Sequence, residues 1–150
     1  MTSKTTTRRG RGGYGVSVRA EGSTTTKDAK VVVLGGTGRV GGATAAALLG
    51  QDAGLTTREV TLAGRRKEGA MEAKSRHPAL ANAAFVEVDV NDKESVKRAI
   101  AGADLVINTA GPFQRRETCA ALEAAIESGV KYLDVCDDAS YGQRAKELSA

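Results

Sequence analysis

The sequence predicts an α/β domain built on a doubly wound parallel sheet with strand order 3-2-1-4-5. Beyond residue 30, strand-like apolar runs alternate with helical patterns, which is typical of parallel strands joined by right-handed helical crossovers. The first run, residues 30–34, is almost entirely apolar, as expected for a strand that is buried on both faces. A glycine-rich segment, residues 35–42, then leads directly into the first helix.

Five strands are predicted, over residues 30–34, 60–63, 85–89, 105–108 and 132–135. Each is a short run rich in β-branched, aromatic or aliphatic residues. No sixth strand follows the fifth in the 150 residues. The pattern therefore predicts a domain that is truncated before the catalytic domain of a longer protein.

The first two helices follow the glycine segment and the second strand. In the first helix, Val40, Ala43, Ala47 and Leu48 are predicted to form the buried stripe. The second helix is predicted over residues 68–76. It should end before Pro78, because the residue that precedes a proline avoids the helical region.

The third helix is predicted to have Asn91 as its N-cap. Glu94 completes a pattern resembling a capping box, and Val96, Ala99 and Ile100 form the predicted buried side. These two features together predict that the helix packs on the sheet directly after the third strand.

The fourth helix is predicted from an apolar stripe formed by Cys119, Leu122, Ala125 and Ile126. Gly129 should end this helix, because glycine commonly follows the last helical turn. A last helix is predicted over residues 143–148.

The positive charge of the chain is concentrated in its first 30 residues. These hold seven Lys or Arg and two acidic residues, whereas residues 31–150 hold 15 basic and 16 acidic residues. The predicted domain is therefore nearly neutral, and the overall charge of +4 is no argument for nucleic-acid binding. Aromatic residues are only 3% of the chain, and no apolar run approaches the roughly 20 residues of a membrane-spanning helix, so neither nucleic acid nor membrane is a predicted partner.

Residues 1–29 are predicted to be a disordered, transit-peptide-like head and linker, and residues 30–150 the folded domain. Residues 1–20 contain no acidic residue, several hydroxylated residues and four arginines, which is typical of an organellar transit peptide. Chloroplast targeting is the preferred interpretation, with a cytoplasmic or mitochondrial protein as the alternative. An RGG-type RNA-binding tail and a basic tail without function are the other two interpretations.

The glycine segment matches the dinucleotide-binding pattern G-x-G-x-x-G through Gly36, Gly38 and Gly41, with Thr37, Arg39 and Val40 between them. It lies between a strand and a helix, which is the context that the pattern requires. Gly36 is expected to form the tight turn, Gly38 to admit a pyrophosphate and Gly41 to let the helix pack closely. The sequence therefore predicts an NAD(P)-binding Rossmann domain, and because no G-K-[ST] follows, it excludes a P-loop.

The end of the second strand favours NADP over NAD. An NAD site expects an acidic residue there to bind the ribose 2′-hydroxyl, but the sequence has Arg65 and Arg66. Guanidinium groups pair well with a 2′-phosphate. A solvated basic loop is the alternative interpretation.

The ends of the third and fourth strands supply the other predicted cofactor contacts. Ligands of open α/β sheets bind at the carboxyl ends of the strands. Asp89 and Val90 should therefore border the adenine, and residues 108–112, with Ala110 and Gly111 at their centre, should border the nicotinamide ribose.

These motifs resemble those of the NADP-binding domain of the saccharopine dehydrogenase-like oxidoreductases, over residues 31–148. The resemblance is carried by residues 35–42, by the turn at 110–113 and by residues 129–138, and it is strongest to plastid-type plant and algal members. It implies an NADP(H)-dependent reductase that acts on a small-molecule substrate. It also implies a downstream domain, absent from this sequence, that is catalytic and could form a homodimer.

Catalytic residues are not predicted from this sequence. Tyr141 lacks the lysine four residues later that short-chain dehydrogenases use, since position 145 is alanine. Arg115 and Arg116 could contact an anionic substrate or be surface residues. Two cysteines and one histidine cannot form a structural zinc site, so no metal is predicted. The alternatives to an oxidoreductase are a non-catalytic NADP(H)-binding sensor and, less favoured, a relative of nucleoside-sugar epimerases.

Overall fold

A computed structural model describes residues 29–50, 57–113 and 116–148. Five parallel strands form one sheet in the order β3-β2-β1-β4-β5, which confirms the predicted fold class and strand order. The strands are β1 (Ala29–Leu34), β2 (Thr57–Gly64), β3 (Ala84–Glu87), β4 (Leu105–Asn108) and β5 (Lys131–Asp134). The helices are α1 (Arg39–Leu49), α2 (Lys67–Arg76), α3 (Lys93–Ala99), α4 (Ala120–Glu127) and α5 (Ala139–Leu148), and a 3₁₀ turn spans Pro78–Leu80.

Two sequence predictions concern residues that the structure does not describe. The predicted head and linker lies outside the described residues, apart from its last residue, Ala29, which begins β1. Arg115 also lies outside them. Within the described ranges, no helix is long and apolar enough to cross a membrane.

The central strands end at the same edge of the sheet. In the ladder, Leu34 at the end of β1 is paired with Ala63 of β2 and with Asn108 of β4. Asn108 is in turn paired with Asp134, the last residue of β5. The loops that follow these strands therefore begin side by side, which places the glycine segment between the loops that follow β2 and β4.

Apolar side chains pack on both faces of β1. Val31 and Val33 belong to a cluster with Ala45 of α1 and Ala73 of α2. The alternate residues of β1 belong to a second cluster, which includes Val96 of α3 and three alanines of α4. Helices therefore cover both faces of the sheet, as the fully apolar strand predicts.

The buried face of α1 differs from the predicted stripe. Val40 is 57% exposed, and Ala43 and Ala47 are also exposed. The fully buried residues of this helix are Gly41, Gly42 and Ala45. Of the predicted stripe, only Leu48 is partly buried and packs against the core. The other three residues were predicted wrongly, because the smallest residues lie on the sheet side, where they allow the helix to approach closely.

The predicted N-cap of α3 is one residue too early. Asp92 is the cap, and its carboxylate accepts a hydrogen bond of 2.9 Å from the backbone N–H of Glu94. Asn91 lies in the preceding loop, where its side chain accepts a hydrogen bond from Arg116. Val96 and Ile100 are fully buried, as predicted.

The face of α4 also needs a correction at one position. Ile126 is 48% exposed, whereas the buried residues of the helix are Ala120, Ala121, Ala124 and Ala125. Alanine is only weakly hydrophobic, so the prediction relied on the larger isoleucine and placed the buried face incorrectly. The end of the helix was predicted correctly, since Gly129 follows it with φ +65°.

Several element bounds differ from the prediction, and β2 begins at Thr57 rather than at residue 60. β3 ends at Glu87, before Val88 and Asp89, which lie in the following loop. β5 ends at Asp134, so Val135 is outside the strand, and α5 begins four residues earlier than predicted. The earlier start of α5 places Tyr141 inside this helix, where it is 1% exposed.

Candidate functional site

A cleft of about 480 Å³ lies at the edge of the sheet where the central strands end. Its size is in the range of small-molecule and cofactor sites. Seven of the twelve predicted cofactor-binding residues line it: Thr37, Gly38, Arg65, Asp89, Val90, Ala110 and Gly111. The loops after β1, β2, β3 and β4 all contribute to its wall.

The five other predicted residues lie beside the cleft rather than in its wall. Gly36 and Gly41 are buried beneath the turn. Arg39 and Val40 are exposed in the first turn of α1, and Arg66 is exposed at the N-cap of α2. For Gly36 and Gly41 this position fits a role in packing rather than in direct contact with a ligand.

The tight turn after β1 depends on Gly35 rather than on the expected Gly36. Gly35 has φ +75°, a conformation that side-chain-bearing residues rarely adopt. A Cβ on Gly35 would also lie 2.9 Å from the Ala110 backbone. A Cβ on Gly36 would lie 2.8 Å from the Val33 carbonyl oxygen, so Gly36 is constrained by packing instead.

Gly41 is the closest packing point between α1 and the end of β1. A Cβ there would lie 2.3 Å from the Gly35 carbonyl oxygen and 2.5 Å from Oγ1 of Thr109. Thr109 is itself fixed, because its hydroxyl donates a hydrogen bond of 2.8 Å to the Leu34 carbonyl. The first turn of α1 can therefore lie against the strand ends only if residue 41 has no side chain.

The start of α1 offers backbone N–H groups at the edge of the cleft. Its N-cap, Gly38, lines the cleft and makes no side-chain capping bond. The N–H groups of the first helical turn have no intrahelical acceptors, and the helix dipole adds a partial positive charge there. A dinucleotide pyrophosphate fits this arrangement, because its negative charge suits the free N–H groups and the dipole at a helix N-terminus.

The Thr37 side chain packs against the end of β2 and the start of α2. A Cβ on Gly64 would lie 2.6 Å from Thr37 Oγ1, and one on Gly69 would lie 3.1 Å from Thr37 Cβ. The guanidinium of Arg76 donates a hydrogen bond of 3.1 Å to the Thr37 carbonyl. Thr37 therefore lines the cleft and also joins the turn to β2 and α2.

Arg65 follows β2 directly and lines the cleft with an exposed side chain. Arg66 and Lys67 come next and are also exposed. No acidic residue takes the position at the end of β2 that would bind a ribose 2′-hydroxyl. This end of the cleft is therefore suited to an additional phosphate.

The loop after β3 continues the wall of the cleft. Val88 extends the pairing with β2, because its N–H donates a hydrogen bond of 3.0 Å to the Gly64 carbonyl. The Asp89 carboxylate accepts a hydrogen bond of 2.9 Å from the Asn91 N–H, and the Asp89 N–H donates to Ser95 Oγ. These bonds fix the loop that presents Val90 to the cleft.

The loop after β4 is held from below by Asn108, which is 1% exposed. Its side-chain oxygen accepts a hydrogen bond of 3.1 Å from the Ala110 N–H, and its amide nitrogen donates one of 2.9 Å to the Tyr132 hydroxyl. Both functional ends of this buried amide are therefore satisfied, as burial of a polar group requires. The position of the Ala110 backbone is set by the sheet interior.

Two phenols, the buried Tyr141 and the half-buried Tyr132, continue this hydrogen-bonded chain. The hydroxyls of Tyr132 and Tyr141 lie 3.4 Å apart. Burial raises the pKa of Tyr132 well above its ordinary value and raises the pKa of Tyr141 to about 12. Both groups are therefore neutral at physiological pH, and Tyr141 packs edge-on against Phe113 at 5.2 Å instead of lining the cleft.

The cysteines and acidic residues form no metal centre within the described ranges. Cys119 is buried beside Phe113 and Tyr141, as predicted for a core residue, and burial raises the pKa of its thiol. No group of three or more His, Cys, Asp or Glu side chains in the described part of the chain could hold an ion.

Five cleft residues were not predicted as cofactor contacts, namely Gly35, Gly64, Val88, Asn91 and Arg116. Asn91 lines the cleft, whereas the sequence assigned it to helix capping. Arg116 also lines it and was considered only for an anionic substrate or the surface. The one sequence signal for Asn91 is its place just after Asp89 and Val90, and nothing local indicates that Arg116 folds back onto the loop after β4.

Solved structures with the same fold are similar to this chain at low sequence identity. Triphenylmethane reductase of Citrobacter sp., complexed with NADP(H), has a TM-score of 0.58 and 20% identity, over 80% of this chain and 44% of that one. Saccharopine dehydrogenase (L-Glu forming) of Saccharomyces cerevisiae has a TM-score of 0.56 and 20% identity, over 80% of this chain and 24% of that one. Pen from Bacillus thuringiensis has a TM-score of 0.57 and 18% identity, over 74% and 38%. The chain thus spans less than half the length of each.

Fold and cleft together define a Rossmann domain. No sequence in a set of curated proteins matches the chain significantly. The family model described as saccharopine dehydrogenase NADP-binding domain matches residues 31–149, and the chain belongs to this family. The predicted family is thereby confirmed, and so is the predicted cofactor, since NADP is the cofactor that defines the family.

Proposed function

We propose that this chain is the NADP(H)-binding domain of an oxidoreductase that transfers hydride to or from a small-molecule substrate. The observation that carries the proposal is the side-chain-free turn at Gly38, placed at the mouth of a cleft that Arg65 also lines. When bound, NADPH would supply the hydride. The protein's share is to bind and orient the cofactor and to exclude water from it.

Each loop that lines the cleft is proposed to bind a different part of the cofactor. The backbone N–H groups of residues 39–41 hold the pyrophosphate, and Arg65, with Arg66 beside it, binds the 2′-phosphate. Asp89 and Val90 border the adenine, and Ala110 and Gly111 border the nicotinamide ribose. The order follows from the strand order, because β2 and β3 lie on one side of β1 and β4 lies on the other.

The whole protein is proposed to be a plastid enzyme with a further, catalytic domain. Support for the second domain comes from the solved structures, of whose length this chain spans 24–44% in the cases above. Support for the plastid comes only from the composition of the first 20 residues. A homodimer formed through the further domain is part of the same proposal.

Titration of the chain with NADPH and NADH tests the cofactor site. We expect tighter binding of NADPH, and we expect Arg65→Ala to weaken NADPH binding about tenfold while NADH binding stays the same, because one charge-assisted hydrogen bond to the 2′-phosphate is lost. Arg98→Ala is the matched control, since Arg98 is an exposed arginine on α3 that does not line the cleft. Equal affinities for the two cofactors in the wild-type chain would contradict the assignment of Arg65.

Turnover by a full-length protein separates an enzyme from a sensor. An oxidoreductase oxidises NADPH in the presence of a suitable amino acid, imine or carbonyl compound, and the oxidation is followed by absorbance at 340 nm. Tight NADPH binding without oxidation by any of these classes would favour the sensor.

A further inference from the structure

The Arg116 side chain makes three hydrogen bonds with the two loops that line the cleft. Its Nε donates a hydrogen bond of 3.2 Å to the Pro112 carbonyl, and Nη2 donates to the Ala110 carbonyl. Its Nη1 donates a hydrogen bond of 3.0 Å to Oδ1 of Asn91. One guanidinium therefore joins the loop after β4 to the loop after β3, which are not neighbours in the sequence.

The Arg116 side chain is itself held in place. Its guanidinium carbon lies 5.7 Å from the centre of the Phe113 ring, within the range of a cation–π contact. Its N–H donates to the Phe113 carbonyl at 3.1 Å, and its carbonyl accepts a hydrogen bond from the guanidinium of Arg144 in α5. Phe113 is 4% exposed, so this anchor is part of the core.

The two loops that Arg116 joins are the loops assigned to different halves of the cofactor. Asn91 follows the proposed adenine contacts, and Ala110 and Pro112 flank the proposed contact with the nicotinamide ribose. Ala110 is also fixed on its other side, because its N–H donates to Asn108. The backbone of Ala110 is thus bound through its N–H to the sheet interior and through its carbonyl to Arg116.

We propose that Arg116 is a positioning residue that sets the separation of the adenine and nicotinamide sides of the cleft. The inference rests on the proposed function, which assigns those two sides. All three acceptors of the guanidinium named here are neutral oxygens, so its geometry, with three donors in one plane, matters more than its charge. A ligand that spans both loops depends on Arg116, whereas a ligand that reaches only one of them does not.

Binding measurements with a whole cofactor and with half of it test the inference. Arg116→Met keeps most of the aliphatic stem and removes the donors. We expect it to weaken NADPH binding about tenfold and to change the affinity for 2′,5′-ADP, which reaches only the adenine side, by less than twofold. Arg116→Lys keeps the charge without the planar donors, and we expect it to bind NADPH as weakly as Arg116→Met does. Arg98→Met is the control.

Hydrogen exchange of the chain without cofactor supplies a second readout. We expect Arg116→Met and Arg116→Lys to speed exchange in peptides that cover residues 89–91 and 109–113 and to leave β1 unchanged. Failure of the wild-type chain to bind NADPH overturns the proposed function, and the exchange rates then decide the inference alone. Full NADPH affinity in Arg116→Lys, equal losses for NADPH and 2′,5′-ADP, or unchanged exchange in both loops overturns the inference. If Arg116→Met does not fold, Arg116→Lys carries the test.

Discussion

Single atoms decide the shape of the turn after β1. The space at Gly41 is closed by a backbone carbonyl and by a hydroxyl that is already bonded to the strand, and neither can move easily. The same holds at Gly35, where positive φ and the Ala110 backbone act together. These glycines are required by contacts that form only when β1, α1 and the loop after β4 come together.

Replacement of Gly41 by alanine should destabilise the domain by about 1–3 kcal/mol, because the added methyl group overlaps the Gly35 carbonyl and Thr109. Denaturation with urea, followed by circular dichroism, measures the change. Gly142→Ala in α5 is the matched control, since a Cβ there meets nothing within 4 Å. It should stabilise the helix by about 0.5–1 kcal/mol. Equal effects of the two substitutions would contradict the packing role of Gly41.

At the scale of elements, two neighbouring polar residues at the N-terminus of α3 make different contacts. Asp92 caps the helix through its carboxylate, and Asn91 contacts Arg116 from the preceding loop. Asp92 therefore stabilises the helix, whereas Asn91 helps to hold the loop that lines the cleft.

Asp92→Ala should lower the free energy of unfolding by about 1 kcal/mol, because the N–H of Glu94 loses its acceptor. Asp92→Asn is the control and should keep most of the stability, since asparagine caps helices about as well as aspartate. Thermal unfolding of the three proteins gives the comparison. A loss in Asp92→Asn as large as that in Asp92→Ala would show that the charge of Asp92, and not its capping bond, is what matters.

The strands and their order were predictable because their signal is local and strong. Val31–Leu34 can be buried on both faces only in the middle of a sheet, and the alternation with helices fixes parallel crossovers. The helix faces were less predictable, because alanine and glycine do not distinguish a buried face from an exposed one, as Ala43 and Ala45 in α1 show. In the site, the glycine turn and Arg65 could be placed from motif and strand ends. Arg116 could not, because its contacts with Asn91 and Ala110 depend on how the loops fold together.

At the scale of the whole molecule, a hydrogen-bonded chain runs from the cleft into the core. It begins at the Ala110 N–H and passes through Asn108 and Tyr132 to Tyr141, which connects β4, β5 and α5. The link between the Tyr132 and Tyr141 hydroxyls needs at least one of their two protons, and burial raises the pKa of both phenols. The loop after β4 is thereby coupled through hydrogen bonds to β5 and α5.

This coupling predicts a loss of stability at alkaline pH. In the unfolded chain the phenols ionise near pH 10. In the folded chain the pKa values of Tyr132 and Tyr141 are higher, so the unfolded state loses protons first and stability falls between about pH 10 and 12. Absorbance at 295 nm and circular dichroism should change together, and Tyr14→Phe removes the third tyrosine from the signal. Ionisation of both remaining phenols near pH 10 in a chain with a native spectrum would contradict the burial.

The contacts proposed for the pyrophosphate are made by main chain, and those proposed for the 2′-phosphate by side chains of one exposed loop. Retention of a dinucleotide and choice between dinucleotides are therefore separable properties. Substitutions at residues 65–67 could therefore change which dinucleotide is preferred without any change in the turn after β1 that binds the pyrophosphate. The turn itself leaves almost no such freedom, because added side chains at Gly35, Gly36 and Gly41 would overlap neighbouring atoms.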